Sequence, residues 1–194
     1  MILVVCALPA ELRAFTPRAG VEILACGVGP VEAAAETARM LQRKRFGAVV
    51  NAGIAGAFRG RARIGDAVIV SDEQFADFGL EGGGAFTLPD GATLAERVPA
   101  SPSLLERCAG LPYRLARGVT VSQVTATRVT ADRLSARYDA DVESMEGFAV
   151  LRAAQLAGVP AIELRGISNY VDDRANAECD FRAGAAALTQ ALEA

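Results

Sequence analysis

Two glutamates of this 194-residue chain lie close behind apolar runs and could do acid–base chemistry. Glu11 follows the run that ends at Leu8, and Glu146 closes the segment Val142-Glu-Ser-Met-Glu146. The chain contains no histidine, so the usual general base and the Ser–His and Cys–His nucleophile pairs are excluded. Acid–base chemistry must therefore come from carboxylates, although each glutamate alone is also explained as a favourable charge in the first turn of a helix.

The elements that must position these side chains are predicted from hydrophobic patterning. Short apolar runs predict buried strands at residues 2–8, 21–26, 48–51, 67–70, 119–124 and 161–167. Periodic stretches predict helices at 31–45, 145–157 and 181–193, while residues 79–117 are predicted as loops with one short helix. This alternation indicates one α/β domain over residues 1–194, with a central, mostly parallel or mixed twisted sheet flanked by helices.

Five short segments follow the predicted strands and are candidates for a ligand site, because ligands of open α/β sheets bind beyond the carboxyl ends of the strands. These segments are residues 7–11, 27–30, 51–56, 142–146 and 165–169. Their glycine spacing fits neither the dinucleotide-binding fingerprint nor the lysine-bearing phosphate loop. Each segment alone is a weak signal.

Composition favours a small molecule as the partner. The net charge is −3, so nothing suggests binding to nucleic acid. The N-terminal apolar run is too short to span a membrane and has no basic lead-in, so we expect a strand there and a cytoplasmic protein without membrane contact. The four cysteines are scattered with no Cys-x-x-Cys pair, and no motif implies a metal or an organic cofactor.

Taken together and in this order, the five segments resemble the nucleoside phosphorylase and nucleosidase superfamily. The resemblance runs from Leu3 to Arg174 and is most specific at residues 143–147 and 165–169. It is strongest to the branch of methylthioadenosine/S-adenosylhomocysteine nucleosidases and futalosine hydrolases. It implies a nucleoside phosphorylase-like fold, cleavage of a purine nucleoside by water, and a homodimer or higher oligomer in which a partner chain helps to close the 5′ end of the pocket.

The resemblance assigns roles to four residues. Glu11 matches the carboxylate that activates water, and Glu146 matches the carboxylate that binds the ribose hydroxyls, with Met145 against the sugar. Asn169 matches the position facing N7 and the six-position of the purine, where the adenine-specific nucleosidases carry Asp. An amide can donate to a six-oxo group and accept from a protonated N7, which favours futalosine, an inosine-like nucleoside of menaquinone biosynthesis with an aryl-carboxylate extension at its 5′ end.

The other substrate-binding positions implied by the resemblance are weaker signals. Ile54 stands where adenine-specific enzymes usually have Ser, and the stretch of residues 75–79 looks like a loop of futalosine hydrolases, whose aromatic rings could cover the 5′ extension or belong to the core. No group is identified that protonates the departing base, and Asp172 and Asp173 are better explained as a solvated turn. The full set of these further binding positions is Gly29, Ile54, Ala55, Gly56, Phe78, Ala126 and Ser144.

Three alternatives to a futalosine hydrolase remain open. An adenine-specific nucleosidase would share Glu11 and Glu146 but disagrees with Asn169. A phosphorylase needs a cation for phosphate, and residues 27–30 and 51–56 contain none, while Glu11 would repel the anion. A nucleoside-binding module without activity would not need Glu11. The residue that binds the tail carboxylate is not identified, with Arg128 and Arg133 as two of many arginines that could do so.

Overall fold

The computed structural model describes residues 1–80, 88–91, 94–176 and 178–194. Within these ranges, eight strands form one mixed sheet: β1 Ile2–Cys6, β2 Val21–Ala25, β3 Ala48–Ala57, β4 Ala67–Phe75, β5 Arg97–Pro99, β6 Arg114–Thr120, β7 Val142–Ser144 and β8 Ala161–Tyr170. The helices are α1 Pro30–Arg43, α2 Pro102–Cys108, α3 Arg128–Tyr138, α4 Gly147–Leu156 and α5 Phe181–Glu193. The predicted α/β class with a central mixed sheet is confirmed.

Part of the sheet closes on itself. Strand β3 pairs with β7 and β8, β8 pairs with β4, β4 with β6, and β6 with β7. These five strands therefore form a ring, from which β1 and β2 extend beside β3, and β5 extends beside β4. Pairing is parallel in five of the eight contacts and antiparallel between β3 and β7, β4 and β5, and β4 and β8.

Helices cover both faces of the sheet. On one face, Leu3 and Val49 pack with Phe148 and Leu151 of α4, against which α1 lies. Helix α4 is buried along most of its circumference, as expected of a helix that is apolar all round. On the other face, the β-strand residues Cys6, Ile69 and Leu164 pack against α5. No helix among the described residues is both long and apolar enough to cross a membrane.

Several predicted boundaries were wrong, and the largest error concerns β3. This strand continues to Ala57 instead of ending at residue 51, because β8 pairs with it from Val49 onward. Residues 51–56 therefore lie within a strand rather than in a loop after it. Strand β6 starts at Arg114 and ends at Thr120 rather than running from 119 to 124, and α4 begins at Gly147, two residues after the predicted start.

Three elements were not predicted at all. They are β5, α3 and β7, which have three, eleven and three residues. Strands β5 and β7 are too short for their periodicity to be detected, and α3 is mostly polar, so its helical pattern is weak. Within residues 79–117 the predicted short helix is found as α2, whereas residues 81–87, which include the predicted glycine turn, lie outside the described ranges.

Candidate active site

One pocket of about 220 Å³ collects most of the predicted site residues. It lies where the 3-10 helix Pro9–Leu12, β3, β7 and β8 meet. Three of the predicted residues, Gly29, Phe78 and Ala126, do not line it. The predicted residues that do line it are Glu11, Ile54, Ala55, Gly56, Ser144, Met145, Glu146 and Asn169.

Glu11 is held in this pocket by two backbone amides. Glu11 is buried, with only 4% of its surface exposed. Oε1 accepts from the N–H of Ile54 at 2.9 Å, and Oε2 accepts from the N–H of Leu8 at 2.9 Å. Because each carboxylate oxygen can accept two hydrogen bonds, each keeps acceptor capacity for a water in the pocket. A Cβ on Gly53 would lie 2.9 Å from Oε1, so the glycine in β3 allows this close approach.

Glu146 precedes α4 and faces the same pocket. Its Oε1 accepts from the N–H of Gly29 at 2.9 Å. Gly29 has φ of 94°, a left-handed conformation that favours glycine. Burial raises the pKa of Glu146, while the Arg165 guanidinium, 3.9 Å from Oε2, and the Gly29 N–H oppose that rise. Gly29 therefore contacts the carboxylate, although it does not line the pocket.

A buried arginine behind the pocket was not identified from the sequence. Arg165 in β8 is 2% exposed, and its Nε donates to Glu163 Oε1 at 2.7 Å. Its Nη1 donates to the carbonyl oxygen of Ile54 at 3.2 Å. Arg165 therefore connects two parts of the site. It binds the backbone of Ile54, which also binds Glu11, and its guanidinium lies 3.9 Å from Glu146. The sequence did contain a signal for this arginine, namely two charged residues, Glu163 and Arg165, in an otherwise apolar strand. Residues two apart in a strand place their side chains on the same face of the sheet.

A second buried carboxylate, Glu73 of β4, lies beside this group. Its Oε2 accepts from Thr120 Oγ1 at 2.7 Å, and Thr120 Oγ1 accepts from the N–H of Phe148 at 2.7 Å. Glu73 Oε1 and Glu163 Oε2 have no hydrogen-bond partner among the described residues. Burial, followed by the charge of Glu163, raises the pKa of Glu73 well above its ordinary value. The protonated form of Glu73 is therefore favoured.

The Glu73→Gln variant is expected to change how stability depends on pH. Above the ordinary carboxyl pKa of 4.5, the unfolded wild type releases the proton of residue 73 and the folded protein retains it. The free energy of unfolding then falls by about 1.4 kcal/mol per pH unit from this group until its folded-state pKa is reached. Glutamine removes this contribution, and its carbonyl oxygen can accept from Thr120 Oγ1 as Glu73 Oε2 does. Urea unfolding of both proteins between pH about 5 and about 7 measures the difference.

The wild type should lose stability relative to Glu73→Gln as the pH rises. The exposed Glu106→Gln variant is the matched control, and it should run parallel to the wild type. A difference between the wild type and Glu73→Gln that does not change with pH would contradict a protonated Glu73.

Asn169 lies at the end of β8 with both ends of its amide engaged. Ser168 Oγ donates to Oδ1 at 2.8 Å, and Nδ2 donates to the carbonyl oxygen of Tyr170 at 3.1 Å. The side chain lines the pocket close to Gly56 of β3, where a Cβ would come within 2.9 Å of Nδ2. The amide is therefore fixed in orientation before a ligand binds.

Asp172 does not supply an acid to this site. Its hydrogen bond with Arg59 holds the pKa of the carboxyl below its usual range. The N–H of Asp173 and the nearby Arg128 act in the same direction. Asp172 is therefore ionised at neutral pH and has no proton to give to a departing base.

Phe78 and Ala126, predicted to bind substrate, lie away from the pocket lining. Phe78 stacks on Phe75, whose ring in turn stacks on Phe148, with 5.3 Å between centroids in both pairs. The carbonyl oxygen of Ala126 accepts from the N–H of Arg174 at 3.2 Å. Seven further residues line the pocket without having been named individually as site residues: Ala7, Leu8, Val28, Val124, Glu143, Ser168 and Phe181. Five of them lie within the candidate segments 7–11, 27–30, 142–146 and 165–169, whereas Val124 and Phe181 lie outside these segments.

Comparison with known sequences identifies relatives along the whole chain. The model of the family described as Phosphorylase superfamily matches residues 2–194. Futalosine hydrolase of Streptomyces coelicolor is 37% identical, over 89% of this chain and 77% of that protein. Futalosine hydrolase of Thermus thermophilus is 35% identical, over 89% of this chain and 80% of that protein. The 5′-methylthioadenosine nucleosidase of Arabidopsis thaliana is 30% identical, over 86% and 60%.

Comparison with solved structures finds the same fold. The 5′-methylthioadenosine/S-adenosylhomocysteine nucleosidase of Neisseria meningitidis superposes with a TM-score of 0.82 at 18% identity, over 98% of this chain and 96% of that one. Native futalosine hydrolase of Helicobacter pylori superposes with a TM-score of 0.79 at 20% identity, over 100% and 97%. At these identities the superpositions establish the fold.

Proposed function

Because this chain belongs to the phosphorylase superfamily, we propose that it is a futalosine hydrolase, which cleaves the N-ribosidic bond of futalosine with water and releases hypoxanthine in menaquinone biosynthesis. The observation that carries the proposal is the 35–37% identity to futalosine hydrolases over 89% of the chain. The pocket supports it with three buried carboxylates and an amide lining one cavity.

Glu11 is the base in this reaction. Its two backbone hydrogen bonds orient the carboxylate, and the remaining acceptor positions can hold a water against C1′ of the ribose. Glu11 takes a proton from this water as the oxygen attacks C1′ and the bond from C1′ to the purine breaks. A carboxylate is the acid–base group that a chain without histidine can provide.

Glu146 holds the sugar. A carboxylate that accepts from two ribose hydroxyls fixes the ring, and its negative charge stabilises the positive charge that develops at C1′. The N–H of Gly29, the residue before α1, donates to Oε1 and so orients the Glu146 carboxylate. Arg165 at 3.9 Å favours the ionised form against the effect of burial.

Asn169 recognises the base rather than protonating it. Its amide can donate to the six-oxo oxygen of hypoxanthine and accept from a protonated N7. Because an amide has no acidic proton, the proton that arrives on the purine comes from solvent. This position favours a six-oxo purine over adenine.

Charge in the pocket favours water over phosphate as the nucleophile. Among the described residues, no lysine or arginine lines the pocket, whereas Glu11, Glu143 and Glu146 do. The nearby Arg165 does not line the pocket, because it is 2% exposed behind it and bonded to Glu163 and to the carbonyl oxygen of Ile54. A phosphate dianion would be repelled by these carboxylates without a free cation to offset them.

The experiment that tests the function is the release of free base from futalosine, inosine and methylthioadenosine, each with and without phosphate, followed by chromatography. We expect hypoxanthine from futalosine at a rate that does not depend on phosphate. Release of adenine from methylthioadenosine in preference would make the protein an adenine-specific nucleosidase. A requirement for phosphate would make it a phosphorylase, and no release from any substrate would contradict an enzymatic function.

A homodimer is part of the same proposal. Helices α1 and α4 border an apolar groove in which Val31 is 77% and Leu156 is 71% exposed. Phe75 and Phe148 also line this groove and continue into the stack with Phe78. An exposed apolar surface of this kind is typical of a protein interface, and a second copy of the chain placed here would bring its residues to the aromatic stack.

The Leu156→Arg variant is therefore expected to be monomeric. A buried arginine without a partner destabilises an apolar interface by several kcal/mol, which shifts the dimer equilibrium strongly toward the monomer. Sedimentation velocity measures the outcome, and the control is Val129→Arg on α3, where the valine is 80% exposed outside this groove. A monomeric wild type, or a dimer that survives Leu156→Arg, would contradict this interface.

As part of the same proposal, the enzyme works in the cytoplasm. Cys6, Cys26, Cys108 and Cys179 are all free of disulfides. Unpaired cysteines suit a reducing compartment.

A further inference from the structure

A second groove adjoins the nucleoside pocket and shares Glu11 and Phe181 with it. It has a volume of about 590 Å³ and runs between the 3-10 helix Pro9–Leu12 and the first turns of α5. Because the two cavities share these lining residues, they lie side by side.

The groove combines an apolar wall with two arginines. Ala185 and Ala186 of α5 and the ring of Phe181 form the apolar part, and Phe181 is 39% exposed. Small side chains beside an exposed aromatic ring suit a flat aryl group, which can pack against the phenyl ring. Arg13 and Arg182 also line the groove, and a guanidinium matches the geometry of a carboxylate.

These two arginines are available to a ligand. Among the described residues, neither Arg13 nor Arg182 forms an ion pair within 4.0 Å of a carboxylate, and both are exposed. Arg133, in contrast, donates two hydrogen bonds to Asp77 at 2.7 and 2.8 Å. Arg128 donates to Asp132 at 2.8 Å. Arg128 and Arg133, the two arginines named in the sequence analysis, are therefore each already paired with a carboxylate.

The apolar groove between α1 and α4 is a poorer candidate for the same ligand. It also contains an arginine, Arg152, but it shares no lining residue with the nucleoside pocket. Arg152 is further engaged by Gln155 Oε1 at 2.5 Å. Of these two grooves, the one beside Phe181 is the one that shares lining residues with the nucleoside pocket.

The charged residues of the groove determine how an anionic ligand would be oriented in it. Glu11 lies at the junction of the two cavities and repels a carboxylate, whereas Arg13 and Arg182 attract it. An aryl group with a carboxylate at its far end satisfies both conditions, because the ring spans the junction and carries the charge away from Glu11.

We propose that this groove binds the anionic aryl extension of the nucleoside, with Arg13 and Arg182 contacting its carboxylate and Phe181 packing against its ring. The proposal rests on the proposed function, because it takes a 5′-extended nucleoside as the substrate. Arg13 and Arg182 are then specificity-determining residues, which act on substrate binding and not on the bond-breaking step.

The test compares futalosine with its carboxamide, in which the tail carboxylate is replaced by a neutral amide. The wild type should have a kcat/KM about 10-fold or more higher for the acid than for the amide, as expected of charge-assisted hydrogen bonds. The difference should lie in KM. In the double variant Arg13→Gln/Arg182→Gln this preference should fall close to one, and each single variant should give an intermediate value.

The control is Arg107→Gln, which removes an exposed arginine of α2 outside the groove and should retain the wild-type preference. Hydrolysis of futalosine with equal kcat/KM for acid and amide in the wild type, or a full preference in the double variant, would overturn the groove proposal and leave the hydrolase function intact. Absence of turnover of either compound by the wild type would instead contradict the function. The single variants decide the question if the double variant does not fold.

Discussion

The Glu11→Gln variant is expected to lower kcat for futalosine by a factor of about 10² to 10⁴, the contribution usual for a general base, while the nucleoside still binds. Glutamine has the size of glutamate and can accept from the N–H of Ile54 through its carbonyl oxygen. It has no basic oxygen left to take a proton from water, and its amide hydrogens would face the N–H of Leu8. Single-turnover rates and equilibrium binding of futalosine measure the two effects separately.

A matched variant separates position from charge. Glu143 lines the same pocket and is also buried, but its carboxylate accepts from the N–H of Thr125 at 3.1 Å and from the hydroxyl of that residue. Glu143→Gln makes the same replacement of a carboxylate by an amide in the same pocket and should lose much less activity than Glu11→Gln. Near-normal turnover in Glu11→Gln, or an equal loss in both variants, would be incompatible with Glu11 as the base.

The pattern of apolar runs predicted much of the fold, because the buried strands and the helices that cover them follow hydrophobic periodicity. It failed at residues 51–56, which were predicted to follow the strand rather than to continue it. In the structure these small residues belong to β3 and make room for side chains from elsewhere. Gly53 lies against Glu11 and Arg165, and Gly56 lies against Asn169. A glycine within a strand often marks such a close approach.

The buried charges could not be predicted because their contacts come from distant strands. Glu73 is on β4, whereas Glu163 and Arg165 are on β8. Each charge interrupts an apolar run, but a single sequence does not show which of them pair. The pairing depends on the antiparallel register that joins Val68 to Arg165 and Val70 to Glu163. Gly29 illustrates the same limit, because its contact with Glu146 spans 117 residues.

The polar residues of the candidate site were easier to predict than the apolar residues that line the same pocket. Eight of the eleven predicted site residues line one pocket, because β3 and β8 run parallel with their carboxyl-terminal halves side by side and β7 pairs with the end of β3. The apolar lining residues Leu8, Val28 and Phe181 carry no chemical signal in the sequence. Their place in the pocket follows from packing alone, so a search for reactive side chains does not find them.

The Asn169→Asp variant is expected to shift the preference of the enzyme from six-oxo purines toward adenine nucleosides. The new carboxyl would retain the hydrogen bond from Ser168, and its other oxygen would face the carbonyl of Tyr170, where Nδ2 now donates at 3.1 Å. An oxygen opposite a carbonyl is favoured in its protonated form. A protonated Asp can give its proton to N7 and can accept from the six-amino group of adenine, which an amide in the present orientation cannot do.

The expected size of this shift is about 1 to 3 kcal/mol, or roughly 5- to 150-fold in the ratio of kcat/KM for adenosine to that for inosine. Measuring both nucleosides with the same variant cancels any general loss of activity, because such a loss lowers both values equally. Ile54→Ser is a useful companion, since its backbone already contacts Glu11 and Arg165 and its side chain lines the pocket without a polar group for the base. Its shift in the same ratio should be smaller. If the ratio were unchanged in Asn169→Asp, the six-position would be read by another group, and the choice of futalosine over adenine nucleosides would rest on the tail instead of the base.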